Sequence, residues 1–282
     1  MTHDPYALHL YGYVKAAEAT QALGSGTLAL QPMLPFASPL SKPEVPSWCA
    51  VPDVFARILE QVFTLADQRR RGQGWCTVDR QALQQAGAAC AGHLQTSGQV
   101  ETCLQALRGL KLFTRPDHQA LWAYYGDDNK GCCLELMIPL RLLPGRWKAH
   151  QVRYLPEPPI YDPDDALIAY AEAVTKTQPE AQLNEWIAVC QTPEALAGLS
   201  WEVATALAAC RHHDWQHEPA WLLLSDAPNA AIDLDRCLLA VHYHQTTAAE
   251  AGGIGGLLHL RYPQVRRIRQ RFAHDGVVAT EG

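Results

Sequence analysis

Residues 121–136, Leu-Trp-Ala-Tyr-Tyr-Gly-Asp-Asp-Asn-Lys-Gly-Cys-Cys-Leu-Glu-Leu, restrict what this chain can fold into more than any other stretch. They read as the end of a helix, a polar turn and a buried strand. Trp122, Tyr124 and Tyr125 crowd one helical turn, and Gly131 closes the polar segment. The run Cys132-Cys133-Leu134-Glu135-Leu136-Met137-Ile138 is apolar enough for a strand at the centre of a sheet. Local chemistry makes this a fold nucleus and a pocket wall. It names no reaction.

The rest of the chain arranges itself around that stretch. A strand over 7–14 opens it, and alternation puts His9, Tyr11 and Tyr13 on one face. A short helix over 15–23 is stopped by Gly24-Ser25-Gly26, and a strand returns over 27–31. The proline-rich segment 32–52 is a long irregular connection of the kind that forms lids or ligand loops. Three helices are predicted over 54–71, 78–94 with Thr77 as N-cap, and 100–110. A short strand at Leu112-Phe113-Thr114 follows, and Asp117 caps the helix that reaches Trp122. A strand is predicted over 150–155. Helices start at Asp162-Pro163-Asp164-Asp165 and at Thr192-Pro193-Glu194, each with proline and acids at its positive end. Strands over 219–225 and 236–244, a weak glycine-rich helix over 248–258, and a closing hairpin turning at Asp275-Gly276 complete the chain. The expectation is an α+β fold, one domain over 1–282. It has a central mixed or antiparallel sheet with flanking helices, a helical insertion over 51–110 and a second helical segment over 163–212.

Length and charge remove several classes. A chain of 282 residues buries roughly three-quarters of its extended surface, so its core needs neither disulfides nor a metal. The formal charge is -6, with acids and bases interspersed, which argues against nonspecific nucleic-acid binding. The exception is the arginine-rich run 261–271, where alternation puts Arg267, Arg269 and Arg271 on one face; it reads as a solvated edge strand whose charge prevents edge pairing. The nine cysteines contain no CxxC and are odd in number, so they read as reduced, small core residues. The start carries no basic-then-apolar signal, and no apolar run approaches the ~20 residues that span a bilayer. These features together predict a cytoplasmic protein with no membrane partner.

Trp122, Tyr125, Gly131 and Cys133 also carry a resemblance. Their pattern is similar to W-x-x-Y-A-x-x-H-x-G-x-C, a signature of the mostly bacterial domain-of-unknown-function family numbered 2971. The family's Ala and His are Gly126 and Asn129 here. Trp215, Glu218 and Trp221 similarly match W-x-x-E-x-E-W-R, with Ala220 and Leu222 in place of its second Glu and its Arg. Many members begin Tyr-Lys-Tyr-Arg; this chain keeps Tyr11 and Tyr13 but has Gly12 and Val14. The family's Phe-Asn-Asp-Pro-Phe becomes Phe36-Ala37-Ser38-Pro39-Leu40. The apolar frame is retained and the polar groups are replaced.

The pocket implied by these elements is lined by His9, Tyr11, Tyr13, Trp122, Tyr125 and Trp221, with Glu218 as the catalytic carboxylate if there is one. Each has a plainer role: Trp122 and Tyr125 as core on one helix face, Glu218 as an exposed acid at a strand entrance. His212, His213, His217, His242 and His244 crowd one region without completing a metal-ligand spacing. The Gly252–Gly256 run lacks the Lys-Ser/Thr of a phosphate cradle, so no metal and no cofactor is expected. Two readings follow. One is a degenerate scaffold that binds a protein or a small neutral ligand, since arginines are missing at positions 14 and 222. The other is an NAD-handling enzyme loosely similar to ADP-ribosyltransferases, with His9 or Tyr11 as the early-strand group and Glu218 as the late acid.

Overall fold

A computed structural model describes residues 7–33, 47–48, 50–71, 77–143, 146–155, 160–161, 163–213, 216, 219–244, 254–273 and 276–281. In chain order the first elements are β1 (Ala7–Val14), α1 (Ala16–Ser25), β2 (Thr27–Ala29), β3 (Gln31–Pro32) and β4 (Ser47–Trp48). Then come α2 (Pro52–Arg71), α3 (Arg80–Thr96), α4 (Gln99–Ala106), β5 (Arg108–Phe113), α5 (Gln119–Tyr124) and β6 (Cys132–Pro139). The middle holds β7 (Trp147–Gln151), β8 (Arg153–Leu155), β9 (Ile160–Tyr161), α6 (Asp164–Thr177), α7 (Leu183–Val189) and α8 (Pro193–Ala208). The chain closes with β10 (Cys210–His212), β11 (Ala220–Ser225), β12 (Ala231–Asp233), α9 (Leu234–Cys237), β13 (Leu238–His244), α10 (Ile254–Arg261), β14 (Arg266–Ala273) and β15 (Gly276–Glu281).

These elements fall into two compact units. The first combines Met1–Pro32, Leu107–Val152 and Trp215–Gly282, and the second combines Met33–Ala106 and Arg153–Asp214. The first unit is built on a nine-stranded sheet in the order β15-β14-β13-β6-β1-β5-β11-β7, with β3 also paired to β5. Its neighbours are antiparallel except β13 and β14, which run parallel, so the sheet is mixed and the fold is α+β. The apolar strand β6 lies inside this sheet between β1 and β13, as its composition requires. Its even residues Leu134, Leu136 and Ile138 enter a core with Leu10 and Val14 of β1, Leu23 of α1 and Leu258 of α10. Each such side chain contributes roughly 1.5–3 kcal/mol when fully buried.

The second unit is helical. Phe55, Leu59 and Phe63 recur every fourth residue along α2 and are at most 1% exposed. They share the interior with Leu83 and Cys90 of α3, Tyr170 of α6, Trp186 of α7 and Leu207 of α8. α8 begins at the start read at Thr192-Pro193-Glu194, and Thr192 caps it, its hydroxyl accepting from Ala195 N at 3.3 Å. The helical segment read over 163–212 lies in this unit, as does the one read over 51–110 up to Ala106; residues 107–110 belong to the sheet unit.

Several local expectations are corrected. The N-cap of α3 is Asp79, not Thr77; its carboxylate accepts from the N–H groups of Gln81 and Ala82, both at 3.0 Å. The cap of α5 is His118, not Asp117. α4 ends at Ala106, because Gly109, Lys111 and Phe113 alternate with Leu110 and Leu112, and that two-residue period makes a full strand of β5. The strand expected over 150–155 is two: β7 pairs with β11, whereas β8 pairs with β10 in the helical unit. The arginine-rich β14 is no edge, since β13 and β15 flank it. It forms the expected antiparallel hairpin with β15, but Gly276 pairs with Ala273 as the first residue of β15 and is not part of the turn.

Candidate functional site

Alternation decides which side chains of β6 leave the core. With Leu134 and Leu136 inward, Cys133 and Glu135 lie on the opposite face, and Glu135 stands directly across from Tyr11 of β1. On the other side of β6, Glu135 is in register with Ala240 of β13, which is in register with Arg266 of β14. Three strands, β1, β13 and β14, thus bring polar side chains to the one carboxylate of β6. Glu135 Oε1 accepts from His9 Nε2 and from Arg266 Nη2, both at 2.9 Å. Its Oε2 accepts from His242 Nε2 at 3.0 Å. His242 Nδ1 in turn meets the amide nitrogen of Gln270 at 3.0 Å.

The centre has an inside and a rim. Side-chain exposure is 7% at Glu135 and 5% at His242, but 44% at His9 and 52% at Arg266. A buried acid survives only when its oxygens are satisfied. The hydrogen bond from His242 holds the Glu135 carboxyl down at about 2, against burial that would raise it, with His9 and Arg266 adding to the effect. Glu135 is therefore ionised and both histidines present Nε2–H to it; an imidazole with its single proton on Nε2 has Nδ1 as an acceptor. In His242 that acceptor takes the Gln270 N–H. Burial, and next the Glu135 charge, raise the Tyr11 phenol above its ordinary value. The Tyr11 ring lies 5.2 Å from His9 and meets His242 edge-on at 5.8 Å.

Farther along β1 the same face becomes packing. Tyr13 is 8% exposed, its hydroxyl donates to Arg115 O at 3.1 Å, and its ring meets Phe113 and Trp122 edge-on. Trp122 is fully buried and donates from Nε1 to Pro116 O at 2.7 Å. Tyr125 is partly buried; its hydroxyl accepts from Lys111 Nζ at 2.8 Å, and that ammonium also lies over the Phe113 and Tyr125 rings. Of the residues singled out in the sequence, His9 and Tyr11 stand at the centre, and Tyr13, Trp122 and Tyr125 form the aromatic wall beside it. Trp221 is elsewhere: it is in register with Leu112, and both belong to the core on the opposite face. Glu218 lies outside the described residues.

The acid beside Tyr11 is thus Glu135, which the sequence reading passed over as part of an apolar strand. A signal was there. One carboxylate in the middle of a strand otherwise made of Cys, Leu, Met and Ile has to find partners when buried. The expectation of an arginine-poor site is corrected as well, because Arg266 reaches the centre from a strand far along the chain. Among the described residues no group of three His, Cys, Asp or Glu side chains is placed to hold a metal ion. The chain matches no protein-family model, no curated protein and no solved structure.

Proposed function

We propose that the sheet unit is a ligand-binding scaffold whose site is the rim of the Glu135 centre, and that it takes a small ligand without large net charge. The observation that carries this is the charge balance. One ionised carboxylate faces one guanidinium and the Nε2–H groups of two imidazoles, and the two outer donors, His9 and Arg266, are half-exposed. A strongly anionic ligand finds little uncompensated charge there. The replacements noted against family 2971 support a scaffold with altered equipment, because Val14 and Leu222, which stand where that family has arginine, are buried side chains. A second reading, an NAD-handling enzyme, draws on His9 itself. A histidine of β1 held by a carboxylate has the arrangement of a general base.

Calorimetric titration with NAD on wild type and on Glu135→Gln separates the two, and ring-proton NMR of His9 and Tyr11 during titration with neutral heteroaromatic fragments tests the site. The expected result is no NAD binding and fragment shifts confined to His9 and Tyr11. Micromolar NAD binding with turnover lost in Glu135→Gln would establish the enzyme instead. Fragment shifts everywhere but at His9 and Tyr11 would remove the site, and a protein partner would become the object of search.

A further inference from the structure

The two histidines of the centre are used alike but finished differently. Each donates Nε2–H to Glu135, His9 to one oxygen and His242 to the other. Inside, the Nδ1 acceptor of His242 is capped by the amide N–H of Gln270 at 3.0 Å. At the rim, the Nδ1 of His9 has no hydrogen-bond partner among the described residues, on a side chain 44% exposed. Arg266 binds the same Glu135 oxygen as His9, so the two are neighbours, and only one of its five N–H donors is committed there. The rim therefore offers an acceptor beside donors.

We infer that this rim reads an amide edge: a ligand that places an N–H against His9 Nδ1 and its adjacent carbonyl oxygen against Arg266. The inference rests on the Glu135 site proposed above and names its ligand class, a planar group carrying a carboxamide or lactam edge, as in a nucleobase. The capping of His242 by Gln270 is the same contact made within the protein. Tyr11, whose ring flanks His9 at 5.2 Å, supplies an aromatic neighbour for the plane of the ligand. A carboxylate of the same shape fails, because it sets a lone pair against the lone pair of Nδ1 unless His9 first takes up a proton. A ketone satisfies Arg266 alone.

Three probes of one shape test this: benzamide, acetophenone and benzoate, titrated into the full chain at about pH 8, where an ordinary histidine is neutral. The readout is the imidazole nitrogen spectrum, with His9 assigned by His9→Phe. Benzamide is expected to shift His9 Nδ1 and to bind about tenfold tighter than acetophenone, the worth of one neutral hydrogen bond. Benzoate is expected to be the weakest of the three at that pH, because it offers Nδ1 no hydrogen. His9→Phe should reduce benzamide to the level of acetophenone, and Arg266→Gln should weaken both; a native-like urea midpoint shows that either variant is folded. Equal binding of benzamide and acetophenone, or tightest binding of benzoate, would overturn the amide reading while leaving a ligand site. No response at His9 or Tyr11 to any probe would overturn the site as well.

Discussion

Glu135 shows how a single residue can couple stability to pH. Replacing it with Ala leaves the buried His242 N–H without an acceptor, while His9 and Arg266 can turn to water. The expected loss is about 2 kcal/mol, the cost of one buried unsatisfied donor. The sign of the pH dependence follows from the shift. The folded carboxyl sits at about 2, below its ordinary 4.5, so its stabilisation is complete above about 4.5 and disappears as the pH falls toward 2. Urea denaturation of wild type and Glu135→Gln should show a gap at neutral pH that closes in acid; a gap that widened in acid would refute the assignment. The cysteines make the second test at this scale. The seven described are free thiols and six of them are buried. Burial pushes Cys132 and Cys190 up to about 12 and Cys237 up to about 11. Maleimide should label none of the six in the native protein and all of them in urea; native labelling mapped to Cys133 would contradict the buried strand.

The element that holds the centre in place is the turn from α5 into β6. Asp127, Asp128 and Asn129 have φ of 54°, 51° and 67°, three successive left-handed residues of the types that tolerate that region. Gly131 then passes so close to β1 that a Cβ there would lie 2.1 Å from the carbonyl oxygen of Val14. No side chain can yield, because the obstacle is backbone. Gly131→Ala should therefore displace β6 against β1 and disturb the His9 and Tyr11 signals as well as lower stability. Asp128→Val should cost about 1–2 kcal/mol more than Asp128→Gly, the penalty of a Cβ-branched residue in left-handed backbone. Trp122, packed on Tyr13 just before this turn, is the anchor: Trp122→Ala is expected to cost ~3–5 kcal/mol by chemical denaturation. A thermal midpoint within a degree or so of wild type would deny it that role.

On the scale of the whole molecule, the sheet unit is drawn from three separated chain segments and the helical unit from two. No helix among the described residues is long and apolar enough to cross a membrane. The formal charge of -6 gives no basic field, and the arginines of β14 are divided between its two faces: Arg266 binds Glu135, and Arg269 donates to Tyr243 Oη at 3.2 Å. Fluorescence anisotropy with a random duplex at about 0.15 M salt is expected to show no binding, because nonspecific affinity depends on neutralising several phosphates at once. Salt-dependent micromolar binding would show that charges outside these pairs form a stripe.

Local patterns determined most of the elements. β1, the span of α2, the start of α8 at Thr192-Pro193-Glu194, the interior place of β6 and the β14–β15 hairpin follow from period, capping chemistry and composition, each read within a few neighbouring residues. Local patterns also put His9, Tyr11 and Tyr13 on one face. They did not reveal which strands lie side by side, since a two-residue period says which way a side chain points and nothing of its neighbour. The three donors of Glu135 lie 126, 107 and 131 residues away from it. Only the strand order β14-β13-β6-β1 brings those charges and imidazoles together, and with them the site. The same order sends Trp221 into the core and makes an interior strand of an arginine run that, by itself, has the composition of an edge.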